Sequence, residues 1–569
     1  MDVENVITQK RLAIAGKPGI AGLVGNWRTF AMAIFASLGG LIYGFNQGMF
    51  GQILSMYSFG KVIGTDSIAD DPVLQGLLTS ILELGAWVGC LANGYLADKF
   101  GRKNTVAIAV FFFTIGVIVQ AVAHGGNYNY ILGGRFVIGI GVGSLSMIVP
   151  LYNAELSPPE IRGSLVAMQQ LSITFGIMIA YWITYGTNYI GGTGETQSNA
   201  AWLIPICIQL VPAFILVAGF YLFMPASPRW LIQVGREDEA LKVLAGLRRL
   251  PETEELVQME YLEVIAQHKF EQEIARRNFP DLQGDDFASR FKLGFAEYKV
   301  MFTHRPTFKR VRVAVLIMLI QQWTGVNFVL YYSPFIFQSL GLTGGTTSLL
   351  ASGVVGVVMF LATIPAVLWV DQVGRKPVLI SGALLMGMCH FIIAGINGGF
   401  HANFKGHEGA GWAAVVFVWL FAIFFGYSWG PCSWVLVAEV FPLGTRARGI
   451  SIGASSNWAN NFAVAMATPK FMAATKNYGA YIFLGMMCII GALYVYFLTP
   501  ETKGKTLEEI DKEFGDTSGT AKQEKELYLR IVEEVGLFEL ANIHGDGEKV
   551  LNKQNVSHAE YNDKQSTEV

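Results

Sequence analysis

A single polar interruption in a long apolar segment guides the interpretation of this chain: Gln321-Gln322-Trp323-Thr324-Gly325-Val326-Asn327-Phe328-Val329-Leu330-Tyr331-Tyr332. Its carboxamide and phenol groups need hydrogen-bonding partners at membrane depth, because hydrocarbon offers none. A carboxamide donates and accepts hydrogen bonds without carrying charge. The set therefore suits a neutral, polyhydroxylated ligand better than an ion, although such groups also join packed helices in membranes.

Helical geometry places these polar groups on more than one face. At about 100° per residue, Gln321, Gly325 and Tyr332 share a face, and Gln322 and Asn327 fall roughly 100° and 120° to either side of it. A break near Gly325 would allow both amides to point at one place, and glycine tolerates such a break. Transporters place their sites at broken helices near the bilayer midplane.

The composition indicates a membrane protein with many spans. Of its 569 residues, 52% are hydrophobic and 15% are charged, whereas soluble domains carry about 25% charged residues. The net charge of −2 gives no reason to expect nucleic-acid binding. The polar N-terminus holds no apolar signal core, so we expect no cleaved signal peptide. No cofactor or metal site is predicted, and the scattered cysteines are interpreted as packing residues: Cys90, Cys207, Cys389, Cys432 and Cys488.

Apolar runs of about 20 residues, the length that crosses a bilayer, predict 12 spans and hence an all-α membrane protein. The runs lie near 28–50, 74–97, 104–124, 130–151, 165–186, 201–224, 311–333, 346–370, 377–396, 412–436, 450–470 and 480–499. The predicted domains are an N-terminus (1–27), a six-helix bundle (28–225), a helical linker (226–310), a second six-helix bundle (311–500) and a C-terminal tail (501–569).

Basic residues in short loops predict which side of the membrane each loop occupies. Most of them lie in loops on one side: Lys99, Arg102, Lys103, Arg162, Arg375, Lys376, Arg446 and Arg448. The opposite loops hold few: Lys61, Lys405, Lys470 and Lys476. Both termini and the linker are therefore predicted to be cytoplasmic, in a multi-pass protein of the plasma membrane.

The two halves repeat each other. Asp98-Lys99-Phe100-Gly101-Arg102-Lys103 follows the second span, and Asp371-Gln372-Val373-Gly374-Arg375-Lys376 follows the eighth. A parallel repeat of this kind is typical of alternating-access transporters. The loop charges are predicted to pair between the halves as a cytoplasmic gate, although they also fit a role in setting topology. The gate residues are Asp98, Arg102, Glu155, Arg162, Asp371, Arg375, Glu439 and Arg446.

The polar stretch resembles the signature of the sugar porter family of the major facilitator superfamily. Other segments that carry this resemblance are Gly94 to Lys103, Pro225-Ala226-Ser227-Pro228-Arg229-Trp230-Leu231 and Pro500-Glu501-Thr502-Lys503-Gly504-Lys505-Thr506-Leu507-Glu508-Glu509. The resemblance covers residues 28–512. It implies the major facilitator fold and membrane transport of a neutral monosaccharide by alternating access, with a hexose such as glucose, or xylose, as the substrate.

The resemblance also implies a sugar site built from the fifth, seventh, tenth and eleventh spans. Its residues would be Gln170, Ile173, Gln321, Gln322, Asn327, Tyr331, Tyr332, Trp434, Asn457, Trp458 and Asn461. Aromatic rings would supply a flat apolar wall for the C–H faces of the sugar. Trp458 also fits plain core packing, and Asn460 is expected to join helices.

Three positions depart from the family pattern. Ala226 stands where the family usually has Glu, Met359 stands where many members have Asn, and Gly426 stands where the animal facilitators carry Glu. The last two changes remove polar groups from one wall of the expected pocket, so the sequence leaves the sugar open.

The energy source depends on two positions. Tyr43-Gly44-Phe45-Asn46-Gln47-Gly48 resembles the family's opening motif, in which proton-coupled members carry Asp at the position of Asn46. Asparagine cannot carry a proton, and Arg135 would lack a switchable partner, which favours facilitated diffusion. Glu83, however, lies within the second span, where a charge costs about 2.5–3.5 kcal/mol. A proton–sugar symporter that uses Glu83 is the alternative, and a purely structural glutamate is the other interpretation.

A sugar-sensing receptor with the same fold is a third interpretation. Such receptors usually carry a long signalling tail, whereas the predicted tail spans only residues 501–569. No nucleophile–base pair, metal-spaced cluster or phosphate loop stands out, so an enzyme is not predicted. The expected partners are a small-molecule sugar and the lipid bilayer, and the protein is expected to be monomeric.

Overall fold

A computed structural model describes residues 25–65, 68–158, 161–282, 287–342, 345–400, 406–441, 445–503 and 520–540, with single positions Ile14, Gly22, Phe404 and Phe514. Helices dominate these residues, which contain no strand. The expectation for Lys405 lies outside the described residues, and so do the side chains of Arg162 and Asp371.

The first half consists of eight helices, the first six predicted spans with short additions. They are α1 Trp27–Ala36, α2 Leu38–Ile53, α3 Tyr57–Ile63, α4 Pro72–Ala121, α5 Asn129–Leu156, α6 Arg162–Thr187, α7 Ala200–Ile208 and α8 Leu210–Leu222. Asp71 begins α4, because its side chain accepts hydrogen bonds from two N–H groups of the first turn. Helix α4 has 50 residues, but Gly101 within it is non-helical (φ 79°, ψ 165°). It therefore joins the second and third spans across their loop.

The linker and the second half continue the helical chain. The linker helices are α9 Pro228–Gln233, α10 Glu237–Arg248, α11 Glu255–Asn278 and α12 Phe287–Thr303. The second half contains α13 Arg305–Trp323, α14 Val326–Ser339, α15 Gly345–Val373, α16 Arg375–Gly399, α17 Glu408–Tyr427, α18 Trp429–Glu439, α19 Arg446–Ala474 and α20 Tyr478–Leu498. The tail contributes α21 Thr520–Glu534 and α22 Leu537–Leu540.

Nine helical segments in the described part of the chain are long and apolar enough to cross a membrane. One of them is α4, which contains two predicted spans. Helices α6 and α19 coincide with the fifth and eleventh predicted spans but are not among the nine. Large apolar side chains on the outer surface, such as Leu222 (80% exposed) and Phe497 (72% exposed), are suited to contact with lipid.

Two hydrophobic cores form, one in each half, and each includes residues of the other half. Helix α19 contributes Ala454 and Trp458 to the core of the first half, and α6 contributes Ile173 to the core of the second. The halves also approach closely at α2 and α14, where a Cβ on Gly51 would lie 2.1 Å from the carbonyl oxygen of Tyr331. Only glycine allows that approach.

The tail helix α21 packs on the linker helix α11. Leu527 and Val532 join Met259 and Phe270 in a small hydrophobic core outside the two bundles. The C-terminal segment, predicted only as a polar tail, thus contains a helix with an apolar face.

Candidate functional site

The polar stretch is broken at Gly325, as its helical geometry predicted. Helix α13 ends at Trp323 and α14 begins at Val326, while Gly325 between them has φ 101°. A residue with a side chain would be strained at this φ, so glycine is required here. The break brings Gln322 and Asn327 together, and the Asn327 amide donates a hydrogen bond to the Gln322 side-chain oxygen.

A buried cluster of polar side chains surrounds Asn327. Its Nδ2 donates to Asn461 Oδ1 at 2.8 Å. Gln47 Nε2, from the first half, lies 3.4 Å from Asn327 Oδ1 and 3.2 Å from the Tyr331 hydroxyl. We call Gln47, Gln322, Asn327, Tyr331 and Asn461 the central amide cluster. Sequence reasoning did not select Gln47, although a second carboxamide beside Asn46 in an apolar span was a signal.

Glu83, in the first half, accepts hydrogen bonds from two second-half members of this cluster. The Tyr331 hydroxyl donates to Glu83 Oε1 at 2.7 Å, and Asn461 Nδ2 donates to Oε2 at 2.9 Å. Tyr331 also lies 3.2 Å from Asn461 Oδ1, but a hydroxyl has one proton and the shorter contact takes it. Glu83 is 1% exposed. The carboxylate therefore ties the first half to two predicted ligand-binding residues of the second.

Arg135 and Asn46 have separate surroundings. Arg135 donates to the Thr79 carbonyl at 3.1 Å, and its guanidinium carbon lies 3.5 Å from the centre of the Phe50 ring. Asn46 Nδ2 donates instead to Gln209 Oε1 at 2.8 Å. Arg135 and Glu83 attract each other within the same buried region. The partner of Asn46 is thus another neutral amide, which sequence reasoning did not select.

Gln321 and Tyr332 form hydrogen bonds with neighbouring helices. Gln321 Nε2 donates to the Trp429 carbonyl at 2.8 Å, and its oxygen accepts from Asn457 Nδ2 at 2.7 Å. The Tyr332 hydroxyl donates to the Ala465 carbonyl at 2.6 Å. These three predicted site residues therefore join α13 and α14 to α18 and α19. This agrees with the alternative interpretation given above, in which such polar groups join packed helices.

Aromatic rings line the region where the halves meet. The ring centre of Trp458 lies 5.2 Å from that of Tyr43, and Trp434 is partly buried against both cores. Gln170 lies beside Gly430 of α18, because a Cβ added to that glycine would be 3.5 Å from Gln170 Nε2. Ile173, 9% exposed, packs in the second core.

Asn460 has the role that was expected of it. It accepts a hydrogen bond from Trp323 Nε1 at 3.1 Å and donates to the Ser456 carbonyl. It joins α13 to α19 without contacting the central amide cluster through any described hydrogen bond.

The match to a family model, described as "Sugar (and other) transporter", covers residues 32–514. This chain belongs to the sugar (and other) transporter family. Similar proteins include a probable quinate permease of Aspergillus flavus, 32% identical over 499 residues (86% of this chain, 88% of the relative). A quinate permease of Neurospora africana is 33% identical over 504 residues (86% and 89%).

Solved structures of the xylose transporter XylE from E. coli are similar in fold. A partially occluded inward-open form has a TM-score of 0.67 and 27% identity, over 84% of this chain and 99% of XylE. The proton:xylose symporter XylE bound to 6-bromo-6-deoxy-D-glucose has the same TM-score and identity over 85% and 99%. The predicted family and all-α major facilitator fold are confirmed. Membership makes the chain a multi-pass membrane transporter, but it does not make the substrate a hexose.

The loop charges of this family member pair within each half. Arg102 Nε donates to Glu155 Oε2 at 2.8 Å, with Asp98 3.5 Å from the same guanidinium group. Arg375 pairs with Glu439 at 2.7 Å in the second half. In this structure these charges therefore pair within their own half. The predicted pairing between the halves, which would form when the cytoplasmic side is shut, stays a prediction. Arg446 donates to the Phe441 carbonyl, again within one half.

Glu501 completes the arrangement in the second half only. Its carboxylate accepts the N–H groups of Arg375 at 3.1 Å and Lys376 at 2.9 Å, at the start of α16, and those of Thr502 and Lys503 at 3.0 Å. A carboxylate is favourable at a helix N-terminus. The first half has Ala226 in the related motif, which supplies no such group.

Replacing Glu501 by alanine is expected to destabilise the protein by about 1 kcal/mol, the usual effect of losing a helix cap. Burial raises the pKa of Glu501, but the four backbone N–H groups outweigh it and hold the pKa below its usual value. The stabilisation is therefore present above the unfolded-state pKa and is lost as pH falls through the folded-state pKa. Thermal unfolding of wild type, Glu501→Ala and Glu501→Gln between about pH 3 and pH 7 tests this, because the wild type alone should lose the contribution on acidification. A wild type whose melting temperature falls no more than that of Glu501→Gln would contradict it.

Proposed function

We propose that this family member moves a small, neutral, polyhydroxylated molecule across the plasma membrane by alternating access. The observation that carries the proposal is the central amide cluster, to which the first half contributes Gln47 and the second half contributes Gln322, Asn327, Tyr331 and Asn461. A ligand held by groups of both halves experiences a different set of contacts when either half moves. Neutral amides can exchange their mutual hydrogen bonds for bonds to hydroxyl groups without a change in charge.

We place the substrate among monosaccharides such as glucose or xylose. Uncharged donors and acceptors beside the Tyr43 and Trp458 rings support this class, since ring faces pack on sugar C–H groups. The full proposed substrate site also includes the residues of the fifth, tenth and eleventh spans predicted above. The names of the fungal relatives make quinate, a polyhydroxylated acid, the competing substrate to test.

Facilitated diffusion is the favoured mode of transport, because Asn46 and its partner Gln209 are both neutral. The second candidate is proton–sugar symport through Glu83. It is favoured by the direct bonds from Tyr331 and Asn461 to that carboxylate. The ionised carboxylate would compete with the substrate for these two donors, and protonation of Glu83 would release them to the substrate. In both modes the termini and the linker are proposed to be cytoplasmic and the carrier monomeric. A sensing role for the same fold has no supporting contact in the described residues.

Uptake in a transporter-null cell tests the proposal with glucose, fructose, xylose, galactose and quinate, each with and without a protonophore. We expect at least one neutral sugar to enter and quinate to be excluded. For facilitated diffusion the protonophore leaves the initial rate unchanged. Acidification of the cytosol on sugar addition, and loss of accumulation in Glu83→Gln, would establish symport instead. Uptake of quinate alone would overturn the neutral substrate class.

A further inference from the structure

The break in the polar stretch leaves a backbone carbonyl at membrane depth. In an uninterrupted helix the Thr324 carbonyl would accept the N–H of Phe328, four residues later. At the break that oxygen instead accepts a hydrogen bond from His390 Nε2 on α16 at 2.8 Å, and the Cys488 thiol lies 3.8 Å away. Irregular backbone in a membrane is tolerated only where other groups satisfy it. His390 is therefore the main partner that the broken conformation provides.

The surroundings of His390 fix its chemical form. The residue is 1% exposed, and its ring centre lies 4.6 Å from that of Phe421 and 6.1 Å from that of Tyr481. Its Nδ1 has no hydrogen-bond partner among the described residues. A neutral ring with the proton on Nε2 satisfies this geometry, because a charged ring would place a second N–H donor against apolar neighbours.

His390 and Gly325 also fit each other sterically. A Cβ on Gly325 would lie 3.0 Å from His390 Nε2. The glycine thus provides both the left-handed backbone that the break requires and the space that the imidazole occupies.

We propose that His390 is a positioning residue that maintains the break, and thereby the convergence of Gln322 and Asn327. This inference rests on the proposed function, because it assigns His390 a role in shaping that site. Without the imidazole donor, the Thr324 carbonyl recovers its partner by accepting the Phe328 N–H. The helix then straightens, and Gln322 and Asn327 turn to opposite sides of it. His390 contacts no substrate in this scheme and acts only through the backbone.

Three variants separate this role from general packing. His390→Leu fills the space without a donor, His390→Gln keeps an N–H donor, and Cys389→Ala removes a buried side chain next to it as the matched control. With D-glucose and D-xylose as probes, His390→Leu is expected to raise the half-saturation concentration about tenfold or more, while the maximal rate per carrier changes less. His390→Gln is expected to restore most of the affinity. Unchanged affinity in His390→Leu, or a loss in Cys389→Ala of equal size, would overturn the proposal.

A structure of the His390→Leu protein gives a readout that needs no substrate. We expect continuous helix through residue 325 and loss of the Gln322–Asn327 hydrogen bond. A retained break with that bond intact would overturn the positioning role, whether or not the wild type transports either probe. Failure of the wild type to take up any sugar, with a straightened helix in the variant, would instead refute the proposed function and leave the positioning role supported.

Discussion

Replacing Asn461 by alanine is expected to reduce uptake about 30-fold or more, because a buried polar group left without its partner costs about 1–3 kcal/mol. Asn461 accepts from Asn327 at 2.8 Å and donates to Glu83 at 2.9 Å, so its removal leaves one buried N–H of Asn327 and one buried oxygen of Glu83 without a partner. Asn327→Ala is expected to act similarly. The measurement is initial uptake of the sugar that the wild type moves, divided by the amount of carrier at the cell surface.

The adjacent residue provides a matched control. Asn460 is also an asparagine of α19, but it bonds to Trp323 and Ser456 and makes no described bond to the central amide cluster. Asn460→Ala is expected to change uptake per carrier by less than about threefold, the effect of one ordinary hydrogen bond. Equal losses in both variants would mean that the asparagines serve helix packing. Normal uptake in Asn461→Ala would remove that residue from the site.

The break at Gly325 could be predicted because it follows from local geometry. The angular positions of Gln322 and Asn327 on a straight helix conflict with a shared ligand, and a glycine lies between them. The spans and the repeated loops could likewise be predicted from the sequence, since span length and hydropathy are properties of contiguous residues.

Contacts between distant helices could not be predicted in the same way. Gln47 reaches Asn327 across 280 positions of sequence, and no spacing rule connects them. The same reason applies to His390, a lone histidine in an apolar span that sequence alone does not relate to Thr324. The partners that the loop charges have within each half could not be predicted for a related reason: the repeat identified the charged residues, but which helix ends lie side by side is decided by packing.

The position of Glu83 in an apolar span could be recognised from the sequence, but the partners of its side chain could not. Its cost at membrane depth indicated a special position, and the structure adds the three groups that offset this cost. Tyr331 and Asn461 donate to its oxygens, and Arg135 supplies the opposite charge. In either proposed mode of transport, an ionised Glu83 buried in this way needs these partners.

Replacing Glu83 by glutamine is expected to lower the stability of the purified protein by about 1–3 kcal/mol, more than any surface change of the same type. The amide keeps the shape of the side chain, but it removes the negative charge that compensates buried Arg135. In the wild type both carboxylate oxygens accept hydrogen bonds, from Tyr331 and from Asn461. In the glutamine variant an NH₂ group replaces one of these oxygens, and it then faces a donor instead of accepting from it. Thermal unfolding of the purified protein in detergent measures the effect.

Two further variants distinguish charge compensation from local shape. Glu195→Gln makes the same chemical change at an exposed loop position and is expected to leave the melting temperature unchanged. Adding Arg135→Gln to Glu83→Gln removes the uncompensated charge, so the double variant is expected to recover part of the lost stability. Additive losses would contradict electrostatic coupling between the two residues. A recovery would show that the charges of Glu83 and Arg135 stabilise each other inside the membrane, so that any proton taken up by Glu83 must weaken this coupling.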